Sequence, residues 1–325
     1  MSRRKPEPKE KFLERMKELS FDEEDYQAYL NKIEEMPLKS LRCNTLKISP
    51  EELRKNLEEK GWKISQPWKS YPEVMIVENE LEPGEIGRTF EALLGYYYIQ
   101  ELASLLPVIS MNPEKEERVL DLCASPGSKS TQIAAKMENT GSLLSNDMGV
   151  GRMKILVSNI ERCGVTNAVM TSREGVRYCQ ILKENGFQFD KILLDVPCTG
   201  EGTYRSNPAG AKAWNPNGIK SMSKIQKKLF QSAFEILKPE GEIIYSTCTH
   251  GPEENEEVVD FALKELGERI EILDPQLPSE LNYRNGITSW QGKEFDERVS
   301  KTARLHPQDS NTEGFFVSKF KKVKP

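Results

Sequence analysis

From about residue 118 the chain alternates short apolar runs with longer amphipathic ones, and this alternation restricts the possible folds more than any other feature. "RVLDLCA" precedes "SKSTQIAAKM", "SLLSND" precedes "GRMKILVSNIERCG", and "NAVMTS" precedes "VRYCQILKENG". "KILLDVP" then leads through a loop containing glycine and proline to "GIKSMSKIQKKLFQSAFEILKPEG", and "EIIYSTC" leads to "PEENEEVVDFALKELG". Strands alternating with helices build βαβ units, hence a mostly parallel, doubly wound sheet with helices on both faces. "IEILDP" and "EGFFVSKFKKV" read as strands with no long helix between them, which suits an antiparallel edge.

In such sheets ligands sit beyond the carboxyl ends of the strands. Here those ends carry Asp121 to Ala124, Asp147, Ser172, Asp195 to Cys198, and Thr247 with Cys248. A core needs no acid or thiol at nearly every strand end, so these positions mark a site. The expected fold class is α/β, a Rossmann-like sheet in residues 111–325 joined to a small N-terminal α+β domain in residues 1–110. That domain shows two charged helical stretches, "LRCNTLKI", the helix "SPEELRKNLEEKG", "WKISQPW" and "EVMIVEN", and a helix near "GYYYIQELASLLPVISM" leads out of it.

Composition closes off several classes. Charges interrupt every apolar run well before about 18 residues, so no membrane span is expected. The basic opening "MSRRKPEPKEKFLERMKELS" lacks an apolar core and a cleavage site, so the expected address is the cytoplasm. The 6 cysteines form no CxxC pair and only 2 histidines accompany them, which argues against a disulfide framework and a structural zinc site. The net charge of −5 neither helps nor excludes nucleic-acid binding. Basic stretches at "SRRKPEPKEK", at "KSMSKIQKK" and at the tail "KFKKVKP" read equally well as solvated faces.

"DLCASPGSKSTQIAAK" is a strand, a turn and a helix start, which presents backbone N–H groups and the positive end of a helix dipole to an anion. It matches neither GxGxxG nor GxxxxGK[ST], so dinucleotides and nucleoside triphosphates are disfavoured. One βα unit later Asp147 is placed to bond vicinal ribose hydroxyls. A loop plus a ribose acid without a phosphate signature fits S-adenosylmethionine; a turn that merely redirects the chain is the alternative. Cys163 and Cys179 read as core filler, whereas Cys198 and Cys248 lie at strand ends facing the cleft, Cys248 shortly before a helix expected to open at Pro252.

In this order, "DLCASPGSK", "SNDMGVGRMKIL", "DVPCTGEGTYRSNP" and "YSTCTHGPEENEEVV" resemble the NOL/NOP/Sun family of RNA cytosine-5 methyltransferases. "RCNTLK", "GYYYIQELAS" and "GFFVSKF" extend the resemblance to about residues 38–321. It implies an S-adenosylmethionine-dependent methyltransferase sheet, an RNA-binding N-terminal region, and a catalytic cysteine in the Thr-Cys motif. Cys248 is then the nucleophile at C6 of cytosine, Cys198 assists release, and Asp195 bonds the N3/N4 edge while also approaching the cofactor. By the same resemblance Cys123, Ala124, Ser125, Pro126, Gly127, Ser128 and Lys129 line the methionine end of the cofactor. Asp147 holds the ribose and Arg152 supports the loop. Glu174 is the nearest candidate for the adenine amino group, where relatives tend to carry Asp.

Softer candidates are Lys129, close enough to the loop to reach an anion, with a solvated lysine at a helix start as the alternative, and Arg205, Asn207 and Pro208 for ordering the target-base loop, with a plain turn as the alternative. His250 is a candidate general base, with exposure on a loop as its expected placement. Trp62, Trp68 and "GYYYIQ" are candidates for base stacking, with packing in a small domain as the alternative. The expected substrate is tRNA, with ribosomal RNA second, acted on by a monomer without a C-terminal RNA-binding domain. Rival readings are an RNA-binding assembly factor without turnover, a DNA cytosine methyltransferase using Cys198, and a nicotinamide oxidoreductase.

Overall fold

The computed structural model describes residues 7–324, so the first residues of the basic opening and Pro325 of the tail lie outside the described residues. The chain opens with α1 (Glu10–Leu19) and α2 (Glu23–Glu34), the latter capped by Asp22, whose side chain accepts from the Asp25 N–H. β1 (Lys39–Cys43), α3 (Pro50–Glu58), β2 (Ile64–Ser65), β3 (Val74–Val77), α4 (Phe90–Leu93) and β4 (Tyr97–Ile99) follow. Ser49 caps α3 and Pro50 occupies its first turn, where no N–H is needed. The four strands form an antiparallel sheet in the order β2-β3-β1-β4 over a core that contains Trp62, Met75 and Tyr97.

The second sheet is built from β5 (Arg118–Asp121), β6 (Ser142–Asn146), β7 (Ala168–Thr171), β8 (Phe189–Asp195) and β9 (Leu237–Thr247), all parallel. Helices α5 (Leu102–Met111), α6 (Ser128–Lys136) and α7 (Val150–Cys163) adjoin one face; α8 (Gly175–Glu184), α10 (Pro216–Glu235) and α11 (Glu256–Leu266) adjoin the other, with α9 (Pro208–Ala213) in the loop after β8. Strand residues alternate between two cores. Ile192, Leu194, Ile243 and Tyr245 face one, whereas Leu193 and Ile244 face the other, as the period of two requires. Burial on both faces is why these strands read as unbroken apolar runs.

Beyond β9 the sheet turns antiparallel through β10 (Ile270–Leu273), β11 (Arg284–Asn285), β14 (Ala303–Leu305) and β15 (Phe315–Lys322). β12 (Ser289–Trp290) and β13 (Lys293–Glu294) form a separate hairpin, and α12 (Pro307–Ser310) precedes β15. β15 is an interior strand, paired with β9 on one side and with β14 and β10 on the other, so the expected edge is a four-strand extension. The path runs β5, β6, β7 in one direction and returns to β8 on the far side of β5. The switch point therefore lies between the ends of β5 and β8, where a ligand crevice forms.

Two further expectations change. The segment "GYYYIQ" is strand rather than helix, because Tyr98 pairs with Arg42 across β1; the helix begins at Leu102. α5 packs on the central sheet through Leu105, Leu106 and Ile109, so the N-terminal unit hands over before Leu102 rather than at 110. The first two helices of the N-terminal region reach beyond its small sheet. Phe12, Met16, Tyr29 and Ile33 of α1 and α2 pack with Tyr204, Trp214 and Ile219 of the larger domain. These two helices cover the loop after Cys198.

Candidate active site

The turn after β5 is held in place by its neighbours. Ala124 N–H donates to the Asn146 carbonyl at 2.8 Å and Gly127 N–H to the Ala124 carbonyl at 2.7 Å. Gly127 has φ +105°, and a Cβ there would lie 3.0 Å from Leu156 Cδ1, so glycine meets both the torsion and the close approach of α7. Asp147, at the end of β6, accepts the Ser125 N–H at 3.0 Å and the forked guanidinium of Arg152 at 2.7 and 3.0 Å. Arg152 also donates to the Ser125 carbonyl at 3.0 Å. The loop, Asp147 and Arg152 are one bonded unit.

Two cavities open on this unit. The smaller, about 600 Å³, is lined by Cys123, Asp147, Met148, Arg152, Glu174 and Cys198 among others. The larger, about 820 Å³, is bounded by Asp121, Lys129, Glu313 and Phe315 and by Leu38, Leu81 and Ile99 of the N-terminal region. They share Cys123, Ser125, Asp195, Val196 and Cys248. Ala124, Pro126, Ser128 and Lys129 belong to the larger cavity only, and Gly127 to neither, so the turn is the partition between the two. Glu174 uses both carboxylate oxygens to cap α8, at 3.1 Å from Val176 N and 2.8 Å from Arg177 N.

Lys129 is buried rather than solvated. Its Nζ lies 2.8 Å from Asp195 Oδ2 and donates to Ser104 Oγ at 2.9 Å, while Ser246 Oγ donates to Asp195 Oδ1 at 2.8 Å. The anion that Lys129 reaches is therefore Asp195. Asp121, at the end of β5, accepts from Ser130 Oγ at 2.7 Å and leaves Oδ1 buried without a partner. Burial pushes its carboxyl up to about 7, with the Asp195 and Asp147 charges adding to the effect.

The sulfurs of Cys198 and Cys248 are 3.1 Å apart. Cys248 opens on both cavities, Cys198 on the smaller alone. The contact with Cys248 and then burial push the Cys198 thiol well above its ordinary range. The two loops are tied by Gly202 N–H to the Cys248 carbonyl at 3.0 Å and Gly314 N–H to the Gly202 carbonyl at 2.9 Å. α11 begins at Glu256, four residues after Pro252, so its N-terminus is not at the thiol as expected; residues 252–255 are turns.

Arg205 is buried and donates to the carbonyls of Thr312 at 2.9 Å and Met36 at 3.0 Å, joining three segments around the larger cavity. His250 is 2% exposed, not on the surface as expected, because Gly314 packs against its ring and His306 lies under it at 4.9 Å between centroids. Burial, with Arg304 adding, lowers it to about 3, so it is neutral. Trp62 and Trp68 are buried in apolar cores, the packing alternative to stacking on bases. Neither Glu254, which the sequence offers only as one acid of the block "PEENEE" opposing a helix dipole at Cys248, nor Gln226 is marked as a site residue by the sequence.

Residues 108–321 match the family model of 16S rRNA methyltransferase RsmB/F, and residues 8–102 match that of the N-terminal domain of 16S rRNA methyltransferase RsmF. The chain is 38% identical over 313 residues to the tRNA (cytosine(49)-C(5))-methyltransferase of Pyrococcus abyssi, covering 96% of both. It belongs to the NOL/NOP/Sun family of RNA cytosine-5 methyltransferases. A second relative, ribosomal RNA small subunit methyltransferase F of Vibrio parahaemolyticus, is 39% identical over 87% of this chain, which spans 57% of that protein. The crystal structure of a methyltransferase homolog from Pyrococcus horikoshii superposes with a TM-score of 0.78 at 31% identity, covering 97% of this chain and 100% of that one. NSun6 from the same organism, solved with SFG, has a TM-score of 0.82 at 24% identity over 98% and 99% of the two chains and shares the fold.

The family and fold are S-adenosylmethionine-dependent. The smaller cavity fits that group. Asp147 faces it with acceptor capacity beyond its present bonds, and Met148, Ile225 and Leu229 supply apolar surface.

Proposed function

We propose that this chain methylates C5 of cytosine in RNA, with the cytosine in the larger cavity and the cofactor in the smaller one. The observation that carries this is Cys248, whose residue lines both cavities beside Asp195. S-adenosylmethionine, bound along Cys123, Ser125, Asp147 and Arg152, supplies an electrophilic methyl group. The Cys248 thiolate adds to C6, which turns C5 into an enamine carbon able to take that methyl group. Asp195, held between Lys129 and Ser246, bonds the N3/N4 edge and stabilises the adduct. Release removes the C5 proton to water; its electron pair forms the C5–C6 double bond and Cys248 departs as thiolate. Cys198, kept as a thiol, hydrogen-bonds the departing sulfur across the 3.1 Å contact.

The wall formed by Leu38, Leu81 and Ile99 makes the N-terminal region part of the RNA site. A cytosine reaches such a recessed pocket only out of its stack. Transfer RNA is the favoured substrate, supported by the 38% identity to the Pyrococcus abyssi tRNA enzyme over 96% of both chains. Among the described residues no helix is long and apolar enough to cross a membrane; the proposed setting is the cytoplasm.

The test incubates wild type, Cys198→Ala and Cys248→Ala with tRNA or 16S rRNA and S-adenosylmethionine, followed by denaturing electrophoresis and methyl counting. The expected result is a covalent protein–RNA band with Cys198→Ala and tRNA, and neither band nor methylation with Cys248→Ala. A band with Cys248→Ala alone would make Cys198 the nucleophile. Methylation of 16S rRNA only would reverse the substrate preference.

A further inference from the structure

Both peptide units that flank Cys198 are pinned by buried side chains from elsewhere in the chain. The Pro197 carbonyl accepts from Gln226 Nε2 of α10 at 2.9 Å, and the Thr199 N–H donates to Glu254 Oε2 at 3.1 Å. The two clamping side chains are themselves joined, Gln226 Nε2 donating to Glu254 Oε2 at 2.9 Å, and Thr199 Oγ1 donates to Glu254 Oε1 at 2.5 Å. Gln226 and Glu254 are both 0% exposed, so water does not replace these bonds when they break. A buried carboxylate is costly unless its bonds are used, and packing alone asks only for an apolar side chain here.

The clamp acts on one thiol more than on the other. It touches the residues on either side of Cys198, whereas the Cys248 carbonyl is held separately by the Gly202 N–H. Toward Cys248 its side chains reach only indirectly, through Thr199 Oγ1 and Thr249 Oγ1 at 3.2 Å, while the Glu254 backbone bonds Tyr245 and Gly251 three residues to either side of that thiol. The groups facing the Glu254 carboxyl are Glu201, Tyr245 and Cys198 with its neighbour Cys248.

We propose that Glu254, with Gln226, is the positioning residue that holds Cys198 against the departing Cys248 sulfur during product release. This rests on the reading in which Cys198 assists release. Burial pushes the Glu254 carboxyl up to about 7, and its charge in turn raises Cys198, which favours the thiol form that the role requires.

The test compares Glu254→Gln, Thr199→Val and Cys198→Ala in single-turnover methyl transfer, multiple-turnover rate and covalent band on denaturing gels, with tRNA as probe. Glu254→Gln sets an amide NH2 against a donor, and Thr199→Val removes the hydroxyl bond from the other side while leaving Glu254 in place. The expected result for both is that the first methyl transfer persists, multiple turnover falls roughly tenfold or more, and the covalent band accumulates as with Cys198→Ala. A merely structural role would lower first transfer and turnover together without a band, and that result, like unchanged turnover in both, overturns the proposal. If Cys198→Ala itself gives no band, the release reading has failed and takes the inference with it. If Cys198→Ala gives the band and neither clamp variant does, only the inference has failed. Should Glu254→Gln not fold, Thr199→Val decides.

Discussion

Asp121 ends the central strand with one carboxylate oxygen bonded to Ser130 and the other buried and unbonded, 1% exposed as a residue. Such a group is easier to bury neutral than charged. Its folded value near 7 lies above the unfolded carboxyl range, so the stability it contributes is full in acid and is lost as pH rises through about 7. Asp121→Asn removes the charge while keeping an oxygen for Ser130. Its melting temperature is therefore expected to gain on wild type as pH goes from 4 to 8, by thermal denaturation across that range; a constant difference would mean that Asp121 is ionised throughout. Lys129 shows the same economy of charge. Its Nζ is buried against Asp195, so the acid proposed to meet the base is held by a fixed partner.

At the scale of elements, three loops meet where no side chain fits. A Cβ on Gly202 would lie 2.1 Å from the Gly314 carbonyl oxygen and 2.9 Å from that of Cys248, both backbone atoms that cannot swing aside. Gly202→Ala is expected to displace the Cys248 loop, destabilise the fold by roughly 1–3 kcal/mol and lower methyl transfer more than tenfold, since the thiol then misses C6. Urea unfolding and a methylation assay on the same preparation check this, and wild-type activity would show that the loops are not coupled. Much of this arrangement was legible beforehand. β5, β8 and β9 are buried on both faces and so read as apolar runs, and their polar ends announced the site at Asp121, Asp195, Cys198 and Cys248. What was not legible depends on partners distant in sequence. β4 is three residues long and owes its extended form to β1, and β11 owes its to β14. Glu254 and Gln226 look like any polar residues of a loop and a helix until the fold brings them to Cys198.

For the whole molecule, the question is what keeps the first two helices on the catalytic domain. Their apolar contact with Tyr204 and Trp214 is supplemented by ion pairs: Arg15 donates to both oxygens of Glu253 at 2.8 and 3.1 Å, and Arg284 grips Asp25 at 2.6 and 2.7 Å and Asp309 at 2.7 Å, while Phe21 lies 4.3 Å from the Arg284 guanidinium. Burial opposes the Asp25 charge, but the bonds from Arg284, Gln308 and the Phe21 N–H prevail and hold its carboxyl at about 2. A carboxyl depressed in this way contributes stability above the unfolded value of about 3.9, and that stability is lost as pH falls through about 2. Asp25→Asn should therefore melt roughly 2–6 °C below wild type at pH 7, with the gap closing as the medium is acidified toward pH 2. The same substitution loosens α2, whose C-terminal side leads to Met36, the residue whose carbonyl holds Arg205 beside the larger cavity. Methyl transfer by Asp25→Asn at a temperature just below its melting transition is thus expected to fall before the central sheet unfolds. Activity and far-ultraviolet circular dichroism recorded on one heating ramp would show it; coincident loss of both would mean that the helices and the sheet come apart as one unit.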